Sequence, residues 1–378
     1  QRTIDRIIFL RLCEDRGIED YGQLQKIGAE SDIYDTLKQL FVQADYRYNS
    51  GLFHFESEKG RGNPDDVSLD LAIDDKVLKP ILRSLYYPDS PYEFSVMPAD
   101  ILGQVYEQFL GKVIRLTPGH QAKVEEKPEV RKAGGVYYTP TYIVDYIVQH
   151  TVGALLEGKT PRDVDGSKKN APPLRVLDPA CGSGSFLIVA YQYLLDWYRD
   201  QYIAAGPDAQ CNGKNPKLRR IGERDYALTV PERKRILLDH IYGVDIDTQA
   251  VEVTKLSLLL KVIEGETAET LGQNRLLFQE RALPDLDKNI KCGNSLIAPD
   301  YYMQQQEFQG LSEKQGLTQA SDQRKRDGSV PAFRGLDTEE LFRINAFDWR
   351  AEFPFITKDG GFDAVIGNPP YVRQEGLG

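Results

Sequence analysis

The sequence predicts an α/β protein: a mainly parallel sheet covered on both faces by helices, preceded by a mainly helical region. Two observations carry this. Beyond Gly134, short strand-like runs alternate with long amphipathic stripes, and strand–helix–strand alternation implies parallel pairing. Over roughly the first 130 residues the apolar positions instead recur at helical spacing. Residues 1–130 are therefore expected as a helical domain and 131–378 as the sheet domain.

In chain order, Ile4, Ile7, Ile8 and Leu12 form a first helical stripe, and Leu37, Leu40 and Phe41 a second. Gly60 to Asp66, rich in Gly, Pro and charge, reads as a loop. Ile101, Leu102, Val105, Tyr106, Phe109, Leu110, Val113 and Ile114 form the longest stripe, starting after Pro98-Ala99-Asp100. The polar stretch from Thr117 to Lys132 reads as a linker. Thr139-Pro140 then looks like an N-cap with proline at the first helical position. Ile143, Val144, Ile147, Val148, Val152 and Leu155 continue as that helix. Strands are expected at Leu174–Leu177, Ile241–Val244, Asn289–Cys292 and Phe362–Ile366, with helices over Phe186–Tyr198 and Ala250–Ile263. The polar, basic stretch from about Arg199 to Arg235 reads as an insertion before the second strand.

Composition narrows the function. A hydrophobic content of 41% and a charged content of 28% fit a globular protein,. No apolar run approaches the ~20 residues that span a bilayer, so no membrane partner is expected. The net charge of −10 argues against a uniformly basic nucleic-acid coat. Local clusters decide DNA binding, however, and two exist: Lys214 to Arg235, and Arg324-Lys325-Arg326. Either can also be an ordinary solvated charged loop. The four cysteines, Cys13, Cys181, Cys211 and Cys292, form no CxxC pair, and the four histidines do not stand at ligand spacing with them. No metal site is expected, and reduced thiols in a cytoplasmic protein are the default. Pro88-Asp89 with Glu125-Glu126-Lys127 echoes the PD…ExK pattern of metal-dependent nucleases. That chemistry needs carboxylates fixed on strands, whereas this ExK falls in the expected linker.

The chemistry-bearing residues sit where the expected strands end. Val176 to Phe186 reads strand, small-residue turn, helix, and its Asp178-Pro179-Ala180-Cys181-Gly182-Ser183-Gly184 turn lets backbone approach a ligand closely. It has neither GxGxxG nor GK[ST], so a dinucleotide or nucleotide phosphate is not the natural guest. Asp178 is placed to accept from an ammonium group. Asp245, in Gly243-Val244-Asp245-Ile246-Asp247, stands where doubly wound folds hold ribose hydroxyls, although it follows the glycine turn by far more than the usual ~20 residues. Asn294, in Cys292-Gly293-Asn294-Ser295, suits an adenine edge. Gly134 to Pro140, ending in free helix amides, suits a carboxylate. Carboxylate, ammonium, ribose and adenine together describe S-adenosyl-L-methionine. Finally, Asn368-Pro369-Pro370-Tyr371 closes the last strand. Its prolines remove two donors and leave carbonyls beside an amide oxygen and an aromatic face. Such a corner can grip a planar amine-bearing group such as a flipped DNA adenine, although Asn and Pro also make plain turns.

With GGVYYTP, DPACGSGSF, GVDID and GNPPY in this order, the chain resembles the gamma-ordered, adenine-specific DNA methyltransferases. It is similar in particular to the methyltransferase part of type IIG restriction-modification enzymes and their phage-exclusion relatives. The resemblance implies a Rossmann-like S-adenosylmethionine-dependent methyltransferase sheet and a cofactor site. Tyr138 and Thr139 would hold the methionine end, and Asp178, Ala180 and Gly182 would line it. Asp245 would bind the ribose hydroxyls, Ile246 would pack on the cofactor adenine, and Asn294, where the family usually has Asp, would meet its amine. Asn368, Pro369, Pro370 and Tyr371 would receive the target base. It further implies duplex DNA as partner, with a nuclease upstream and a target-recognition domain downstream in the parent chain.

The expected chemistry is methyl transfer to the exocyclic 6-amino group. No Pro-Cys nucleophile is present to suit cytosine carbon-5 methylation,. A methylase acting on a protein glutamine amide or an RNA base can use the same corner, and a non-catalytic DNA-binding scaffold is a third reading. The chain starts at Gln1 and ends seven residues after Tyr371. It is thus expected to be an excised piece with a C-terminally truncated sheet, binding duplex DNA weakly and without sequence preference.

Overall fold

The computed structural model describes residues 2–48, 52–56, 64–96, 112–117, 119, 121–126, 139–169, 171–267, 269–270, 283–298 and 345–369. Among these residues four strands form the central sheet: β3 (Val176–Asp178), β6 (Ile241–Asp245), β7 (Ile290–Cys292) and β8 (Ala364–Val365). Their order is β7-β6-β3-β8 and every pairing is parallel. Val176, Ile241, Val244 and Ile290 are almost fully buried, as befits a parallel sheet covered by helices. The chain leaves β3 toward β6 and β7 on one side and returns as β8 on the other. The strand order therefore reverses between β3 and its neighbours, where open α/β sheets form a crevice at their carboxyl ends.

Helices Ser185–Ala204, Val230–His240 and Thr248–Val262 make the crossovers. The last begins at Asp247, whose carboxylate accepts from the Gln249 amide at 2.9 Å. This satisfies one of the donors that a helix start leaves unpaired. A second cluster, Tyr242, Phe347, Phe353 and Phe362 with Trp349, covers the sheet near β6 with edge-to-face rings. His240 is fully buried at the opposite, N-terminal end of β6. Its Nδ1–H donates to the Leu174 carbonyl at 2.6 Å, and Nε2 accepts from the Tyr198 hydroxyl at 2.8 Å. That fixes the neutral tautomer, and burial pulls its pKa down to about 4.

The N-terminal helices Arg2–Asp15, Ile33–Tyr48 and Asp75–Arg83 pack around Phe9, Phe41, Tyr48 and Phe53. Arg6 is wholly buried there, lying over the Phe55 ring and bonded to Asp65 and the Leu52 carbonyl, each at 2.7 Å. A buried guanidinium is tolerated only with such partners. This bundle rests on helix Thr248–Val262: Arg2 pairs with Glu252, and Arg16 reaches the Leu260 carbonyl. One apolar core runs through both regions.

Several sequence expectations need correction. Ile4 is 56% exposed, and the buried face of the first helix is Ile7, Leu10 and Cys13 with Phe9 and Leu12. Val113 and Ile114 lie not on a helix but on β1 (Lys112–Leu116), paired antiparallel with β2 (Ala122–Glu126). The expected linker is therefore partly a hairpin. The β-branched pair at 113–114 and the Pro118-Gly119 turn signal favour it locally. The Arg199–Arg235 insertion completes the Ser185–Ala204 helix, then folds as hairpin β4 (Leu218–Arg220)–β5 (Tyr226–Leu228) and most of the next helix. Four of its basic residues make contacts within the protein. Lys217 pairs with Glu232 and Arg219 with Glu266, while Arg235 bridges Glu232 and Asp239 and Arg233 reaches the Glu264 carbonyl. These four residues brace the fold, while Lys214, Arg220 and Arg224 of the same stretch stay exposed. The expected loop at 60–66 falls mostly, and the Arg324–Arg326 knot wholly, outside the described residues, as does the stripe over 101–111.

Candidate active site

Four loops leave the carboxyl edge of the sheet side by side. Asp178 ends β3 and is 1% exposed. The Ala180 amide donates to its Oδ1 at 3.0 Å. Burial pushes its carboxyl up to about 7, the Ala180 bond partly offsets this, and the Asp245 charge adds to it. Desolvation of this kind disfavours the charged form of a carboxyl group that has no cation beside it.

Asp245 ends the neighbouring strand and organises the turn after β3. Its Oδ2 accepts from the Gly182 amide at 2.8 Å and its Oδ1 from the Asp247 amide at 2.9 Å. On the other side of the turn, the Thr254 hydroxyl donates to the Gly182 carbonyl at 2.8 Å. A Cβ on Gly184, whose φ is +86°, would meet Thr254 at 2.8 Å. The glycine is therefore needed for close packing as well as for its backbone conformation. Ala180 is half-buried in the same turn. Ile246 lies just beyond Asp245 and is 56% exposed, an apolar surface at the crevice mouth.

Asn294 follows β7. Its amide donates to the Asn345 carbonyl at 2.7 Å, and its side-chain Oδ1 accepts from the Leu296 amide at 3.2 Å. Asn345 to Phe347 thus runs beside the loop, bridging Asn294 to Ala346 in parallel. Trp349 Nε1 holds the Ser295 carbonyl at 3.1 Å. A Cβ on Gly293 would fall 2.5 Å from the Phe347 ring, so this position also requires glycine.

On the far side of β3, β8 delivers Asn368. Gly367 (φ +152°) approaches so closely that a Cβ there would lie 2.5 Å from Asp178 Oδ1. Asn368 Nδ2 is 3.0 Å from Thr139 Oγ1. Thr139 does not cap the following helix. That helix, Thr141–Val148, takes Pro140 as its N-cap and starts without a side-chain cap, one residue later than the sequence suggests. Pro369 is exposed at the edge, while Tyr138, Pro370 and Tyr371 lie outside the described residues.

The structure thus gathers Thr139, Asp178, Ala180, Gly182, Asp245, Ile246, Asn294, Asn368 and Pro369 along one edge of the sheet. The supporting residues Thr254, Asn345 and Trp349 were missed in sequence, since nothing in their local pattern separates a loop-stapling side chain from a packing one. Among the described residues the nuclease-like carboxylates are not gathered into a site. Asp89 pairs with Arg83 at 2.6 Å and Glu125 stands on the β1–β2 hairpin. No group of three or more His, Cys, Asp or Glu residues that could hold a metal occurs among the described residues. Nor is any helix among them long and apolar enough to cross a membrane.

An open parallel sheet with acidic strand tips, a glycine turn held by the second acid and an Asn-Pro corner across the switch point makes the kind of crevice in which α/β sheets bind ligands. Residues 97–290 match the N-6 DNA Methylase family, and residues 239–378 match the Eco57I restriction-modification methylase family. The chain belongs to the N-6 DNA methylase family. It is 34% identical, over 99% of its length, to the type II restriction enzyme and methyltransferase RM.Eco57I of Escherichia coli. It is 24% identical, over 97%, to the putative type II restriction enzyme and methyltransferase RM.MjaORFECS2P of Methanocaldococcus jannaschii. Over 64% it is 24% identical to the adenine-specific methyltransferase PglX of Streptomyces coelicolor. The chain spans 30%, 40% and 15% of the lengths of these relatives, respectively.

Proposed function

We propose that this chain is the cofactor-binding and catalytic part of an adenine-specific DNA methyltransferase, acting with S-adenosyl-L-methionine on the 6-amino group of a flipped adenine. The names of its relatives, restriction enzymes that are also methyltransferases and an adenine-specific methyltransferase, support a place in restriction-modification or phage defence. A cytoplasmic location and duplex DNA as partner follow from the same reading. So do a mainly helical N-terminal region that closes with the β1–β2 hairpin and a catalytic domain over 131–378.

The residues fit the cofactor. The buried carboxylate of Asp178, holding its proton to about pH 7, suits an ammonium group, whose approach would favour the ionised form. Asp245 has two oxygens and about four lone-pair sites. Standing at the tip of β6, it would accept from the ribose hydroxyls. Ile246 offers the base an apolar face, Asn294 an edge contact, and the Gly182 turn close backbone approach. Tyr138 and Thr139 complete the methionine end. The cofactor, when bound, supplies an electrophilic methyl on a sulfonium centre.

The observation that carries the reading is the close approach of Gly367, the residue before Asn368, to Asp178 across the switch point. It sets the amine-gripping corner against the site of the ammonium. An adenine amine is a poor nucleophile because its lone pair is delocalised into the ring. The Asn368 side-chain oxygen and the Pro369 carbonyl would accept its two N–H bonds, drawing the nitrogen toward tetrahedral geometry and freeing that pair. Tyr371 would stack on the extruded base and Pro370 would keep the corner rigid. Positioning and electrostatics then supply the rate. The test is methylation of duplex DNA, RNA and protein with labelled cofactor. Label confined to adenine in DNA is expected, and label in protein or RNA would replace this reading.

A further inference from the structure

Asn294 offers a ligand a hydrogen-bond donor, and the orientation of its amide is fixed by chemistry rather than by choice. The Leu296 backbone N–H, 3.2 Å away, can only donate, so the atom facing it is Oδ1,. Nδ2 is then the atom turned away from the loop, and it has no partner among the described residues. The loop around it is held on every side. The Asn294 amide is bonded to Asn345, its carbonyl accepts from Ile297 at 3.1 Å, and Trp349 holds Ser295. The side chain is therefore not free to exchange its two ends without breaking the bond to Leu296.

Resting on the proposed function, we infer that Asn294 selects the cofactor base through its ring acceptor N1, by donating from Nδ2, and not through the 6-amino group. Asp245 takes the ribose on β6, and β7 is the next strand outward, about 4.8 Å away. A base extending from that ribose toward β7 presents its distal edge, which carries N1 and the 6-amine. Of these only N1 accepts. An aspartate at this position would keep one oxygen on Leu296 and turn the other outward, matching the amine instead. The asparagine thus inverts the polarity of the contact while leaving the loop unchanged.

The test is calorimetric binding of S-adenosylhomocysteine and its 1-deaza and 7-deaza analogues to the wild-type chain and to Asn294→Asp. Wild type is expected to bind the 1-deaza analogue roughly 5- to 20-fold more weakly than the parent, the loss of one buried hydrogen bond. It should bind the 7-deaza analogue within about twofold. In Asn294→Asp, which retains the oxygen for Leu296, the 1-deaza penalty should vanish. Equal wild-type affinity for parent and 1-deaza analogue, or tighter parent binding by Asn294→Asp, would overturn the N1 contact and leave the cofactor site standing. Failure of S-adenosylhomocysteine to bind wild type at all would overturn the cofactor reading, and this inference with it.

Discussion

The side chains of Thr139 and Asn368, 229 positions apart in sequence, meet at 3.0 Å on the edge of the sheet. The contact ties the segment entering the domain to the corner that closes its last described strand. With Nδ2 engaged by the threonine, the Asn368 oxygen is the atom that, in the proposed function, would accept from the substrate amine. Thr139 is in this sense a positioning residue for Asn368 as well as a candidate contact for the cofactor.

Removing the Asn368 amide should therefore separate chemistry from binding. Asn368→Ala is expected to lower single-turnover methyl transfer by roughly a hundredfold or more, the scale seen when a transition-state donor or acceptor is lost. Cofactor affinity should stay within about twofold. Equal losses in both would make Asn368 a turn residue only. Thr139→Val should reduce turnover by about tenfold, with Thr139→Ser restoring most of it.

Asp245→Ala should weaken cofactor binding by roughly 1–3 kcal/mol, the range for a lost charged hydrogen bond. It should also loosen the Gly182 turn, which Asp245 holds directly. Calorimetry gives the affinity, and amide exchange at Gly182 gives the loosening. Unchanged affinity would remove Asp245 from the ribose site.

Asp178 predicts a proton coupled to binding. Its folded pKa is about 7 against 3.8 when unperturbed. Between these values the folded chain holds a proton that the unfolded chain has lost, so this residue makes stability fall as pH rises from about 4 to 7. A cation bound beside it favours the carboxylate. Cofactor binding near pH 6.5 should therefore release a proton, seen as a dependence of the binding heat on the buffer's ionisation enthalpy. Asp178→Asn should abolish the release.

His240 acts with the opposite sign. Its folded pKa is about 4 against 6.5, so its contribution is fully present above 6.5 and is lost as pH falls from there toward 4. Urea midpoints across this window should show the wild-type loss reduced in His240→Gln. That variant should also be less stable at neutral pH, since the Leu174 and Tyr198 bonds are disturbed.

Gly367→Ala should destabilise the fold by about 1–3 kcal/mol, because its φ of +152° is one that side chains rarely adopt and the new methyl would strike Asp178,. Thermal unfolding measures this. An unchanged midpoint would show that β8 can shift away from β3.

Much of the sheet was legible because its strands are short apolar runs ending in acids or amides at Asp178, Asp245, Asn294 and Asn368, a pattern that survives without any tertiary information. The β1–β2 hairpin was not. Val113 and Ile114 continue a helical stripe in sequence, and only pairing with β2 reveals them as strand. The fate of the basic stretch was equally hidden. Lys217, Arg219 and Arg235 look like a nucleic-acid patch until Glu232, Glu266 and Asp239 are brought against them. Thr139 illustrates the same limit at the site. Its capping signature is sound locally, yet its hydroxyl is claimed by a residue far along the chain.

The most direct measurement is single-turnover methyl transfer to duplex DNA, with protein in excess and methyl-labelled S-adenosylmethionine, followed by digestion to nucleosides. The label should appear in N6-methyldeoxyadenosine with wild type and be nearly absent with Asn368→Ala. Label in 5-methylcytosine, or undiminished adenine methylation by Asn368→Ala, would contradict the assignment of the Asn-Pro corner as the seat of amine methylation.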